Sequence, residues 1–217
     1  FSKALNRACY LESIQAHFLL LPSYRRFPRD EEFKRLLQTK DLYNFRSRRY
    51  WLRRLENHGR KERVSIDEYT IEHIMPQSLS TEWKTALGDD GEKIHQTYLH
   101  TLGNLTLTAY NSEYSNKPFP VKRDMEGGFK ESPLKLNKGL GSINRWDEAA
   151  ICHRADRLST IALAVWIAPS VDPLVLESYK SQPVKVGYTI DDHPHLTDGI
   201  TRDLFEAFRK EILALDS

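Results

Sequence analysis

Cysteine is nearly absent: of 217 residues only Cys9 and Cys152 carry a thiol, far apart and in no CxxC arrangement. That excludes a disulfide framework and a cysteine-ligated zinc knuckle, and it fits a reducing cytoplasm. No uninterrupted apolar run approaches the roughly 20 residues of a membrane-spanning helix, and the N-terminus lacks the charged, apolar and small-residue order of a signal peptide. Excess charge of one sign is missing too: 32 Lys and Arg stand against 30 Asp and Glu, and a net +2 by itself argues for no nucleic-acid partner. There is no internal repeat, no low-complexity tract and no P-loop, so any dependence on a nucleoside triphosphate has to come from outside these residues. The sequence opens on Phe1 rather than Met and stops after the amphipathic stretch "LFEAFRKEILALDS", and so reads as a piece of a longer protein.

What is there is a soluble, globular chain, 40% hydrophobic and long enough to bury a sizeable core in one ordinary domain with a smaller appendage. Apolar residues at helical spacing (Ala4, Ala8, Leu11, Ile14, Phe18, Leu21) predict a helix over 3–21 that Pro22 ends. The acidic opening "RDEE" predicts a second from Asp30 to about Gln38, and a third is expected from Leu42 to Asn57 with Gly59 as its stop. This third helix is the most basic stretch, "FRSRRYWLRRLENHGRKER". At helical spacing Arg46, Arg49 and Arg53 share a face while Phe45, Leu52 and Leu55 can face a core, so the arginines suit either a solvated surface or a phosphate backbone.

The middle of the chain alternates. A short strand ends in "YTIEHIMPQ" (69–77), helices follow near 80–88 and 91–100, and "LGNLTLT" after a glycine turn predicts a second strand. In "YNSEYSNKPF" Asn111 is placed to cap or begin a short helix that Pro118 closes. A Lys- and Gly-rich loop region over 117–142 precedes the longest expected helix, with Ile151, Ala155, Leu158, Ala162 and Val165 on one stripe, ending at Pro169. A connector with one short helical turn follows, then a small separate element over 188–217 whose helix starts near Gly199. His95 and His100 lack the i, i+4 spacing of a helical zinc pair, and "DDHPHL" (191–196) has a proline between its histidines; both read as structural or surface residues rather than ligands.

Cleaving a phosphodiester needs a water activated by a base and positive charge against the phosphate and the departing oxygen. A neutral histidine supplies the base at physiological pH, and a hard cation such as Mg²⁺ takes carboxylate and amide oxygens. Glu72 and His73 are adjacent, so on a regular strand they face opposite ways, and only an irregular strand end, which Pro76 favours, aims both at one phosphate. Asn104 on the second strand and Asn111 or Asn116 after it offer amide groups. Taken singly, each has a structural explanation: a core histidine, a turn residue, a helix cap.

Together, "YTIEHIMPQ", "LGNLTLTAYNSEYSNKPFPVKR" and the Trp146, Ile151, Arg154, Leu158 pattern resemble the C-terminal HNH nuclease domain of GmrSD-type modification-dependent restriction enzymes, over about residues 1–168. The resemblance implies an α+β, mostly helical fold with a small ββα-metal (His-Me finger) core in a helical scaffold, held without the zinc staple of many HNH domains. It implies segments 1–62 (helical, with the basic DNA-facing helix), 63–180 (nuclease core and long helix) and 181–217 (a small appended module). By the same resemblance His73 is the general base, Glu72 helps hold a divalent cation, Mg²⁺ first and Mn²⁺ as another choice, and Asn104 pins the loop that carries His73. Asn111 is the last ligand, with Asn116 as the alternative. Lys117, Lys122 and Arg123 contact phosphate, Lys122 in the transition state, alongside Arg46, Arg49 and Arg53. Trp146, Arg154 and Trp166 are expected to be scaffold. The function implied is metal-dependent nicking or cutting of phage or modified DNA in the cytoplasm of a bacterium or archaeon, under an upstream NTPase and modification-sensing domain. The alternative is a non-catalytic nucleic-acid-binding or regulatory module controlling that NTPase.

Overall fold

A computed structural model describes residues 5–180 and 199–215. Their contacts form two compact units, Phe1–Pro22 with Ser170–Ser217, and Ser23–Pro169. The basic helix and the "EHI" strand, which the expected boundary at residue 62 would separate, therefore lie in one unit. The "DDHPHL" histidines fall outside the described residues.

The larger unit begins with α1 (Asp30–Thr39), whose first turn carries Asp30, Glu31 and Glu32 where the helix dipole is positive. The helix expected from Leu42 starts six residues later, as α2 (Arg48–Asn57). Residues between are held otherwise: the Asp41 carboxylate accepts from the Asn44 backbone N–H at 2.9 Å, and the N–H groups of Leu42 and Tyr43 donate to the His100 carbonyl at 2.9 and 3.3 Å. Asp at such a position offers the backbone a turn in place of a helix. Gly59, at φ +64°, takes the left-handed conformation that lets the chain leave α2.

Two short strands, β1 (Thr70–His73) and β2 (Leu105–Thr108), pair antiparallel with His73 opposite Leu105 and Glu72 opposite Thr106. The excursion between them carries α3 (Thr81–Leu87), capped by Ser80 accepting from the Trp83 N–H, and α4 (Gly91–Tyr98). After β2 come α5 (Asn111–Tyr114) and α6 (Phe119–Asp124). Pro118, expected only to close α5, is also the N-cap of α6, its carbonyl accepting from the Val121 and Lys122 N–H groups at 3.0 and 3.1 Å, while Pro120 sits in the first turn, where a missing N–H costs nothing. The longest helix of this unit, α7 (Glu148–Val165), is capped by Asp147, whose carboxylate accepts from the Ala150 N–H at 3.0 Å.

Two apolar clusters flank the strand pair. One joins Leu52 and Leu55 of α2 to Leu105 and Leu107 of β2 and to Leu158 and Ala162 of α7; the other gathers Ile74, Met75, Trp83, Tyr114, Phe119 and Ile151. The expected α7 stripe therefore serves both clusters, and each of its buried leucines and isoleucines contributes about 1.5–3 kcal/mol. Phe45, expected inside, is 40% exposed because it precedes α2 rather than lying on it.

In the smaller unit the helix expected from residue 3 is observed over Tyr10–Leu20; Asn6 instead caps a turn, accepting from the Ala8 N–H at 3.0 Å. Further helices span Pro173–Lys180 and Gly199–Leu215, and the Tyr179 hydroxyl donates to Glu12 at 2.9 Å. Among the described residues no helix is long and apolar enough to cross a membrane.

Candidate active site

His73 closes β1 and is 5% exposed. Its Nε2 lies 3.1 Å from Nδ1 of His100, and the Tyr43 ring packs against it with centroids 4.5 Å apart. Among the described residues none hydrogen-bonds to Nδ1 of His73. Among the described residues Arg154 Nε alone is a buried side-chain nitrogen or oxygen without a partner, so His73 Nδ1 reaches solvent. Burial, then the nearby His100, Lys122 and His95, hold the imidazole neutral and push its pKa down to about 3, with Asp41 opposing. A neutral ring can take a proton at the open nitrogen when its own proton sits on the engaged one.

Glu72 points the other way, as the strand period requires, and is 4% exposed. Its Oε1 meets the Lys122 ammonium at 2.5 Å. Lys122 is fully buried and also donates to the carbonyls of His73 at 3.1 Å and Ile74 at 3.2 Å. All three of its protons are spent on the end of β1, which corrects the expectation that Lys122 contacts phosphate. Burial pushes the Glu72 carboxyl up and the Lys122 ammonium down, each charge resisting the shift of the other.

Asn104 is completely buried and clamps the chain after β1. Its Oδ1 accepts from the Met75 N–H at 2.8 Å and from Trp146 Nε1 at 3.1 Å, while its Nδ2 donates to the carbonyls of Met75 and Leu99 at 2.9 and 3.0 Å. All four capacities of the amide are used, so it has no oxygen to lend a ligand. Asn111 turns its Nδ2 to Thr70 Oγ1 and the Ile71 carbonyl at 3.1 and 3.2 Å, and Asn116 is exposed. No group of three His, Cys, Asp or Glu among the described residues is placed to hold a metal. With Glu72 bonded to a buried ammonium, the set Glu72, Asn111 and Asn116 does not fit a resident divalent cation in this arrangement.

Residues 27–161 match the family of GmrSD restriction endonucleases, C-terminal domain. The chain belongs to that family. Membership gives it a restriction-endonuclease type of function, with DNA as the substrate such enzymes cut. No curated protein and no solved structure matches the chain.

In this GmrSD C-terminal domain the expected DNA-contacting cations divide into two groups. Arg46, Arg49, Arg53 and Lys117 are all exposed, but Arg49 donates to the carbonyls of Ile66 and Tyr69 at 2.7 and 3.0 Å. Arg123 is bound to Asp124 and to the Ile143 carbonyl at 2.8 Å, so it too is occupied. Arg53 instead lines a cleft of about 570 Å³ with Arg63, with Arg60, which is paired with Glu56, and with Arg54, which donates to the Val165 carbonyl at 3.3 Å.

Sequence reasoning missed His100 and Tyr43. Their contacts with His73 span 27 and 30 residues, and no local spacing signals them. Trp146 and Arg154 are scaffold: Trp146 stacks on Phe119 at 5.3 Å, and Arg154 donates to the carbonyls of Leu102, Gly103, Leu105 and Leu136. Trp166 packs on Trp51 with centroids 4.3 Å apart, tying α7 to α2.

Proposed function

We propose that this domain is an HNH-type (His-Me finger) DNA endonuclease that hydrolyses phosphodiester bonds, with His73 as the general base. The supporting observation is the single open nitrogen of a neutral His73 at the end of β1, its other nitrogen held by His100. A water at Nδ1 gives up its proton to the ring as its oxygen bonds to phosphorus. The bond from phosphorus to the departing sugar oxygen breaks, and that oxygen leaves with the electron pair and is protonated from solvent. Asn104 keeps the chain beyond His73 in one conformation, and Lys122 does the same from below. The proposed substrate is phage or modified DNA in a prokaryotic restriction system, and an upstream NTPase domain is the proposed partner. The expected divalent cation, Mg²⁺ or Mn²⁺, finds no fitting ligand set in this arrangement, and a metal requirement is for the cleavage experiment to decide.

The test is conversion of supercoiled plasmid to nicked or linear forms by this chain with Mg²⁺ or Mn²⁺, beside an EDTA control. His73→Ala is expected to lower the rate by about 10²–10⁴-fold, the usual worth of a general base, while DNA affinity stays nearly intact. Equal cleavage by the variant would overturn the role of His73, and cleavage undiminished by EDTA would overturn the cation. The pairing of Glu72 with Lys122 favours a second reading, a non-catalytic nucleic-acid-binding or regulatory module; it requires DNA binding with no His73-dependent cleavage.

A further inference from the structure

His100 follows α4 and is fixed from two sides. Its carbonyl accepts from the backbone N–H groups of Leu42 and Tyr43, and its ring stacks on the Tyr43 ring at 12° with centroids 5.2 Å apart. Tyr43 is fixed in turn: the Arg48 guanidinium lies 4.9 Å over its ring and donates to its carbonyl at 2.6 Å. The His100 ring therefore presents Nδ1 to His73 Nε2 at 3.1 Å as a held partner.

Two facing ring nitrogens share one proton, and which of them carries it decides the chemistry at the far side of His73. If His100 donates, a neutral His73 must carry its own proton on Nδ1, and the open nitrogen cannot accept one. If His100 accepts, His73 is protonated on Nε2 and its lone pair on Nδ1 faces solvent. We propose that His100 is a positioning residue that accepts from His73 Nε2 at its own Nδ1, and so holds His73 in the tautomer whose Nδ1 can take a proton from water. This rests on the reading of His73 as the base. During the reaction the proton from water arrives at Nδ1, and His100 then accepts a hydrogen bond from an imidazolium, which is stronger than one from a neutral ring.

The experiment compares plasmid cleavage by the wild-type chain, His73→Ala, His100→Phe and His100→Asn, with melting curves to check folding. His100→Phe keeps a ring against Tyr43 and removes the acceptor; its kcat is expected to fall by about 10–100-fold, the range known for partners that orient metal-bound histidines, with KM unchanged. His100→Asn, whose side-chain oxygen sits near the place of Nδ1, is expected to recover most of the loss. An unchanged kcat in His100→Phe beside a dead His73→Ala would overturn this inference and leave the base assignment standing. An active His73→Ala would overturn the base assignment itself. A loss confined to KM, or an Asn variant as slow as the Phe variant, would overturn the positioning role. Nitrogen NMR of the wild-type protein labelled at histidine reads the tautomer without any variant: protonation of His73 at Nε2 is expected, and protonation at Nδ1 refutes the proposal.

Discussion

Neutral imidazole is what the surroundings of His73 impose, and that has a consequence for stability. The unfolded chain binds a proton on this ring near pH 6.5, whereas the folded chain refuses it down to about 3. The stability tied to neutral His73 is therefore complete above about 6.5 and is lost as pH falls through that window, by on the order of 2 kcal/mol near pH 5. Urea unfolding of the wild type and of His73→Phe at a series of pH values should show the wild type losing more on acidification; parallel curves would contradict the burial argument. His73 and Asn104 were legible in the sequence because "EHI" and "LGN" carry them in local context. The sequence suggests that Lys122 contacts phosphate, because a lysine between Val121 and Arg123 gives no hint that Glu72, fifty residues earlier, draws it inward. His100 was set aside for the same reason: only folding brings it against His73.

At the scale of elements, the periods and caps of the sequence located most helices, and the errors fall where side chains compete for the backbone. Asp41 and Asn6 delay the starts of two helices, and a proline taken as a stop also begins α6. A buried carboxylate was not legible at all: Glu56, fully enclosed within α2, accepts from the N–H groups of Lys135 and Leu136 at 3.0 and 2.9 Å and from Arg60. It thereby fixes the turn from which Asn137 reaches the Leu107 carbonyl of β2 at 3.1 Å. The glycine of "LGNLTL" was read as a turn residue, but its role is close approach. A Cβ on Gly103 would lie 2.6 Å from the Ile151 carbonyl and 2.8 Å from its Cγ2, so β2 and α7 could not keep their spacing. Gly103→Ala should cost about 1–3 kcal/mol, the usual penalty of overpacking, read as a lower melting temperature. A stability equal to wild type would mean that α7 can move away without loss.

For the molecule as a whole, a net charge of +2 says little, because what DNA meets is the distribution of cations that are not already bound. Counting arginines along the basic helix suggested that Arg46, Arg49 and Arg53 act alike. The fold separates them: Arg49 is committed to the carbonyls of Ile66 and Tyr69, while Arg53 opens onto the cleft it shares with Arg54, Arg60 and Arg63. Each phosphate neutralised by such a cation releases counterions, and the logarithm of the affinity for B-DNA falls against that of salt with a slope of about 0.9 per contact. Arg53→Ala is expected to weaken binding to DNA of any sequence and to reduce that slope by about 1. Arg49→Ala is expected to leave the slope unchanged and to lower the melting temperature, because its loss strands two carbonyls rather than a phosphate. Fluorescence anisotropy of a labelled duplex across a salt series, with melting curves of both variants, separates the two effects. A slope altered by Arg49→Ala and not by Arg53→Ala would place the DNA path along the N-terminal half of α2 instead of the arginine-lined cleft at its C-terminal end.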